Sequence, residues 1–435
     1  MISQILFFLA LLLTIGMVFR RGRQIWEAIH LGRPESRNDR PDARLNQMLL
    51  VAFGQKKMFK RPIPALLHLV VYVGFVIINI ELLEIIIDGV IGSHRVFAGL
   101  GMAYNILIAS FEWLALGVLL ACVVFLIRRN ILQLRRFKGK EMTSWPRSDA
   151  NIILCAEIAL MTAFLLMNAA DAKLQQLGAP GYTLGGSFPV SSLLIPYLPD
   201  QVSTLIALER FCWWFHILGI FGFLWYLPYS KHLHILLAFP NTYFASLQPK
   251  GKLDQMESVQ QEVKAMLDPS FVPSNQEPPS RFGAKDIHDL TWKNLLDAYT
   301  CTECGRCTSV CPANITGKAL SPRKIMMDTR DRTEEVMQEK AKGITSEKQL
   351  LDDYIQREEI WACTTCNACV EACPVSINPL DIIVQLRRYA VMEESQAPAP
   401  IMGMINNVEN NGAPWKYAQA DRAAWRAPYL SSNSQ

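Results

Sequence analysis

The sequence predicts a mainly α protein: a five-helix transmembrane bundle followed by a separate helical domain rich in cysteine. Three observations carry this. Long apolar stretches crowd into residues 1–240, while the remainder has ordinary soluble composition. Lys and Arg are spread unevenly between the connecting loops. One cysteine pattern, C-x2-C-x2-C-x3-C-P, occurs twice, beginning at Cys301 and at Cys363.

The apolar stretches run over about 2–19, 64–88, 104–127, 151–170 and 205–227. Each offers about the 20 residues that cross a bilayer. The first lacks a basic start and a small-residue cleavage site, and Arg20, Arg21 and Arg23 follow it. It reads as a retained helix with its N-terminus outside. The loops 20–63 and 128–149 carry 11 and 7 Lys plus Arg; the loops 89–103 and 171–204 carry one each, Arg95 and Lys173. Positive loops stay inside. Five crossings then place residues 228–435 in the cytoplasm, with the chain in the cell inner (cytoplasmic) membrane.

Residues 1–240 form the membrane domain. Residues 241–284 read as a linker holding a short amphipathic helix at about 254–266. Residues 285–392 form the cysteine domain. Between its cysteine runs, over 321–355, apolar positions recur every three or four residues, which favours helices over strands. Pro379 to Tyr389 reads as another helix. The tail 393–435 has Ala-Pro repeats and few core residues, and is expected to be extended and to dock on a partner. The net charge of +4 is accounted for by the membrane-flanking basic residues, so nucleic acid is not implied.

The two cysteine runs have the ligand spacing of [4Fe–4S] clusters. Two-residue gaps let three sulfurs of a tight loop converge on one cube. The fourth Cys, followed by proline, serves the other cube in two-cluster proteins. One set is therefore Cys301, Cys304, Cys307 and Cys373; the other is Cys363, Cys366, Cys369 and Cys311. Zinc is the competing reading of C-x2-C pairs. Two identical four-Cys runs, each closed by Cys-Pro, argue for iron–sulfur clusters and single-electron chemistry. Cys122, Cys155 and Cys212 stand alone in apolar segments and read as packing residues.

An intramembrane histidine is costly and suggests function. His216 and His234 are 18 residues apart, five turns of a continuous helix, or roughly 27 Å of rise. That spacing suits axial ligands of two stacked b haems. His232 falls about 160° from His216 by the same arithmetic. His68, near the inner start of the second helix, lies level with His234 and can supply the opposite ligand. His94 is a further candidate that would have to fold back toward His216. His30 and His288 read as surface residues. Quinone chemistry also needs protons; candidates are Glu81 and Glu84 on the second helix, Glu112 on the third, and Arg210 on the fifth. Asp88 with Glu81 and Glu84 also fits a simple helix end, and Glu157 fits a site near the inner haem.

The segment from His216 to His234, including Leu-Pro-Tyr-Ser-Lys-His-Leu-His at 227–234, resembles the fifth helix of the nitrate reductase gamma subunit. That family implies five helices and two b haems, with His216, His234 and His68 in ligand positions. Its second helix-two His falls here on Ile78. The domain from about 285 resembles the α-helical ferredoxins of heterodisulfide reductase and its relatives, through the Cys runs, Leu-Ser-Pro-Arg at 320–323 and Trp361. The segment Asn407 to Trp415 resembles a stretch that follows the second cluster in those proteins. Together these features resemble membrane Fe–S oxidoreductases of the heterodisulfide-reductase-like group. The resemblance implies an electron-transfer subunit with two [4Fe–4S] clusters and one or two b haems. It would pass electrons between a cytoplasmic flavoprotein or Cys-Cys-Gly Fe–S subunit and the quinone pool. No Cys follows Cys373, so substrate chemistry is expected on the partner. The alternative is a membrane-anchored Fe–S redox sensor or assembly protein without quinone chemistry.

Overall fold

A computed structural model describes all of the 435 residues except 183, 274–280, 345, 428 and 430–435. Parts of the expected linker (274–280) and tail (430–435) therefore lie outside the described residues. Among those described there is no β-strand, only two isolated bridges.

Five helices are long and apolar enough to cross a membrane: Ile2–Ile29, Pro62–Ile91, Met102–Ile131, Trp145–Gln176 and Val202–Tyr229. Each is longer than its apolar stretch, because the polar flanks continue the helix past the apolar zone. Local chemistry sets the ends. Prolines occupy the first turns of the second and fourth helices, where a missing N–H costs nothing. Gly92, at φ +81°, closes the second. Packing between spans relies on close approach at small residues. A Cβ at Gly74 would sit 2.6 Å from Val118, and one at Gly219 would sit 2.6 Å from Leu160. The shared core includes Tyr104, Ile108, Phe111, Phe164 and Cys212.

The fifth span departs from expectation. Its α-helix ends at Tyr226; Leu227–Tyr229 and Lys231–Leu233 are 3-10 turns flanking Ser230, and a new helix, His234–Tyr243, begins at His234. Pro228 supplies no N–H and breaks the ladder. The 100°-per-residue register that puts His216 and His234 on one helix face therefore does not apply.

The cysteine domain packs around Leu295, Ile325, Leu350, Ile360, Ile382 and Leu386, with Cys301 and Cys311 in the same core. Its helices include Trp292–Thr300, Pro322–Lys342 and Pro379–Met392. Thr291 and Ser321 cap the first two, each accepting from the backbone N–H three residues on. The tail corrects the expectation of an extended chain: Ala399–Asn411 is helical, stopped by Gly412 at φ +63°. Its Ile, Met and Val residues recur at helical spacing, and Pro398 lies just before its first turn.

The two halves are firmly joined. The first helix continues beyond its apolar part, and Ile25, Ala28 and Ile29 pack with Leu227, Leu233, Leu296 and Tyr299. Arg21 pairs with Glu334 at 2.6 Å. Arg33 and Thr291 form a parallel bridge. Arg61 donates to the Ser309 hydroxyl at 2.7 Å, and Asn241 donates to the Val375 carbonyl at 2.9 Å. Thus the Arg- and Lys-rich loops and the cysteine domain occupy the same end of the bundle.

Candidate functional site

The two cysteine runs wrap their loops alike. Glu303 (φ +55°) and Thr365 (φ +55°) hold equivalent places, as do Gly305 (φ +69°) and Asn367 (φ +59°). Left-handed residues at matching positions turn successive cysteines toward one centre. The neighbours are crossed between the runs. Cys307 lies in the electrostatic field of Cys301, Cys304 and Cys373, and more weakly of Cys369. Cys369 lies in that of Cys363, Cys311 and Cys366. The fourth cysteine of each run is thus brought to the other run. Backbone N–H groups of Thr365 and Ile377 point at the sulfurs of Cys363 (3.4 Å) and Cys373 (3.3 Å). Without metal, burial pushes the Cys301 and Cys369 thiols up to about 12 and Cys373 to about 11. Metal must therefore displace protons on binding. Among the described residues no three His, Cys, Asp or Glu close upon a point suited to one ion. A cube of four irons is wider than an ion, and its thiolates stand further apart.

Leu-Ser-Pro-Arg at 320–323 ties this domain to the basic loop between the third and fourth helices. Arg323 is 1% exposed. Its guanidinium donates to Glu141 at 2.6 Å and to the Arg136 carbonyl at 2.7 Å. Burial raises the Glu141 carboxyl, but the Ser321 hydroxyl and Arg323 outweigh it and hold the group below its usual range. In the first Cys loop, Glu303 pairs with Lys231 (2.7 Å) and Arg330 (2.8 Å).

Directly beneath that loop, His68 and His234 face each other with ring centroids 6.3 Å apart. A metal–imidazole bond of about 2.0 Å, plus about 1.1 Å from nitrogen to ring centre, gives ~6.2 Å for two rings sharing one axial metal. The outer nitrogens are already engaged: His68 Nδ1 meets Gln55 Oε1 and His234 Nδ1 meets the Lys231 carbonyl, both at 3.0 Å. Each Nε2 is left for a ligand, the usual way an axial histidine is oriented. Burial pushes the His234 ring below its usual range, toward the neutral form that a ligand needs. The pair therefore fits a haem. Helical register sets His232 apart from these candidates, yet its ring is 5.7 Å from that of His234. Burial, with His234 and His68 nearby, pushes it down to about 3. Only the break at Pro228 brings it there.

His216 is buried, with Nδ1 3.0 Å from the Leu160 carbonyl and its ring against Phe164. His94 is placed against Tyr182, its Nε2 3.5 Å from Asp171. His30 and His288 are exposed.

At the far end of the bundle a cleft of about 220 Å³ is lined by Phe7, Glu81, His94, Arg210, Trp213 and Trp214, among others. The four polar candidates differ here. Glu84 accepts from the Phe97 N–H (2.9 Å) and the Tyr104 hydroxyl (2.9 Å). Glu112 accepts from the N–H groups of Val190 and Ser191. Arg210 pairs with Glu209. Glu81 alone of the four has a buried oxygen, Oε2, without a hydrogen-bond partner. Asp88 accepts from the backbone N–H groups of Arg95 and Val96 and so holds the loop that follows its helix.

The 4Fe–4S dicluster domain family matches residues 300–377, the span that holds both Cys loops. Residues 300–377 are a 4Fe–4S dicluster domain. The chain is 29% identical over 431 residues to the probable iron–sulfur-binding oxidoreductase FadF of Bacillus subtilis, covering 92% of this chain and 57% of that protein. It is 28% identical over 425 residues to the EtfAB:quinone oxidoreductase of Syntrophomonas wolfei, covering 89% and 54%. The dicluster region is also 36% identical over 103 residues to one subunit of the ferredoxin/F420H2-dependent CoB–CoM heterodisulfide reductase of Methanosarcina acetivorans, covering 24% and 52%. The chain thus spans about half the length of the curated relatives it matches, and it is related to heterodisulfide-reductase-like Fe–S oxidoreductases. No solved structure matches.

Proposed function

We propose that the chain is the electron-transfer subunit of a membrane oxidoreductase. It would link a redox partner, two [4Fe–4S] clusters, haem b and the quinone pool. When bound, the clusters and haem supply one-electron carriers. The residues supply their order. The His68–His234 pair carries the reading, because it joins the dicluster domain through a short chain of contacts. His68 meets Gln55, the Gln55 carbonyl accepts from Met58, and the Met58 carbonyl accepts from Arg306 at 3.5 Å. Arg306 sits between Cys304 and Cys307 in sequence.

In this reading Cys301, Cys304, Cys307 and Cys373 hold the cluster nearer the membrane. Cys363, Cys366, Cys369 and Cys311 hold the other. His216 is the candidate for a second haem, with His94 held instead near the cleft. The cleft at the far end takes the quinone ring against the packed cluster of Trp213, Trp214 and Phe7, with Glu81 as proton carrier and Arg210 at its rim. Basic loops at the dicluster end support a cytoplasmic location for that domain. A relative named for EtfAB and quinone favours a flavoprotein partner; relatives named as parts of heterodisulfide reductase keep a Cys-Cys-Gly partner in view.

The test is an optical and paramagnetic-resonance spectrum of the purified chain with metal analysis. Reduced-minus-oxidised b-haem bands, and about eight cluster irons per chain, are expected. Zinc without haem would sink the proposal.

A further inference from the structure

The two Cys loops differ sharply in exposure. In the first, Cys301, Glu303, Gly305 and Arg306 are buried. A Cβ at Gly305 would sit 3.0 Å from the Arg136 carbonyl, so the membrane-side loops press directly upon it. In the second, Thr364, Thr365 and Cys366 are all exposed. The domain therefore has one covered and one open Cys loop, with Cys366 the exposed cysteine of the second.

The open loop is flanked by a groove and by lysines. The groove, of about 510 Å³, is lined by Lys318, Arg357, Trp361, Ala362 and Pro398, among others. Trp361 and Ala362 lead straight into Cys363, and Arg387 lies 5.0 Å over the Trp361 ring. On the loop's other side, a Cβ at Gly251 would meet the Asn367 side chain at 3.9 Å, which brings exposed Lys250 and Lys252 alongside. Glu371, the nearby acid, is already paired with Lys60 and Lys250. Arg357 is paired with Asp352 and Glu394. Glu358 also lines the groove, yet Lys and Arg still outnumber Asp and Glu across the groove and the lysine side of the loop. The helix Ala399–Asn411 starts beside Pro398 and has no buried residue.

We propose that the Thr364–Cys366 edge, with the groove and lysines beside it, is the docking port for an acidic one-electron carrier protein. It rests on the cluster reading above. One electron crosses between the carrier's redox group and the iron held by Cys363, Cys366, Cys369 and Cys311; no bond forms or breaks. Loop burial then orders the path, open loop first and covered loop second, toward His68.

The probe is flavodoxin, an acidic flavoprotein. Binding of oxidised flavodoxin to the full chain in nanodiscs is measured by surface plasmon resonance, and reduction by its hydroquinone is followed by stopped flow. The double variant Lys252→Glu/Lys318→Glu should weaken binding and slow reduction about tenfold at low salt, with the difference vanishing at high salt. Lys340→Glu, at a residue that lines neither groove nor loop, should change neither. Dithionite, a small reductant, should reduce all variants equally. Intact dithionite reduction with unchanged flavodoxin binding and rate overturns the port alone. Absence of any dithionite-reducible cluster signal overturns the cluster reading and the port with it.

Discussion

At the scale of single residues, orientation separates candidate ligands from bystanders. His68 and His234 each spend one ring nitrogen on a fixed acceptor, and their rings stand at haem distance. His68→Ala should abolish the b-haem band assigned to this pair. His232→Ala should retain that band and shift its potential, because His232 adjoins the pair without an equivalent anchor. A redox titration followed optically distinguishes the two outcomes. Among the carboxylates, Glu81→Gln should cut quinone-linked turnover by roughly 10²- to 10⁴-fold, the span of a lost proton-transfer group. Haem and cluster spectra should be untouched. Glu112→Gln should mainly destabilise the loop at Val190 and Ser191, which it holds. Steady-state turnover beside thermal melting checks both.

At the scale of elements, the five spans and both Cys loops are legible in the sequence, since apolar length and ligand spacing are local properties. What escapes is longer in range. Pro228 flags a break, but its position alone does not say that His232 is carried toward His234. Glu112 reads as a free acid because its backbone partners, Val190 and Ser191, lie far along the chain, and Glu84 because the turn back to Phe97 leaves no local signal. The tail reads as extended because of its Ala-Pro repeats and few core residues, which hide the 13-residue helix within it. Arg323 shows how a short motif acts across elements. Arg323→Ala should leave the half-buried Glu141 with Ser321 but without its guanidinium partner, a loss below the about 3–5 kcal/mol of a fully buried broken pair. A lowered melting temperature, and easier proteolysis between the membrane and dicluster domains, would report it.

At the scale of the whole molecule, the dicluster domain is part of the bundle's end and does not hang from a tether. The first helix reaches it as a strut, Arg21 and Lys231 pin it, and the Leu227–Leu233 segment packs beneath it. The consequence is kinetic. A domain that swings on a linker must search for its docking pose, and solvent friction slows that search. Here the spacing between the covered Cys loop and the histidine pair is frozen in. Transfer inside the chain should therefore be indifferent to viscosity, while exchange with an outside carrier slows in glycerol. Flash-initiated reduction, read at the haem band across a glycerol series, would separate a wire from a shuttle.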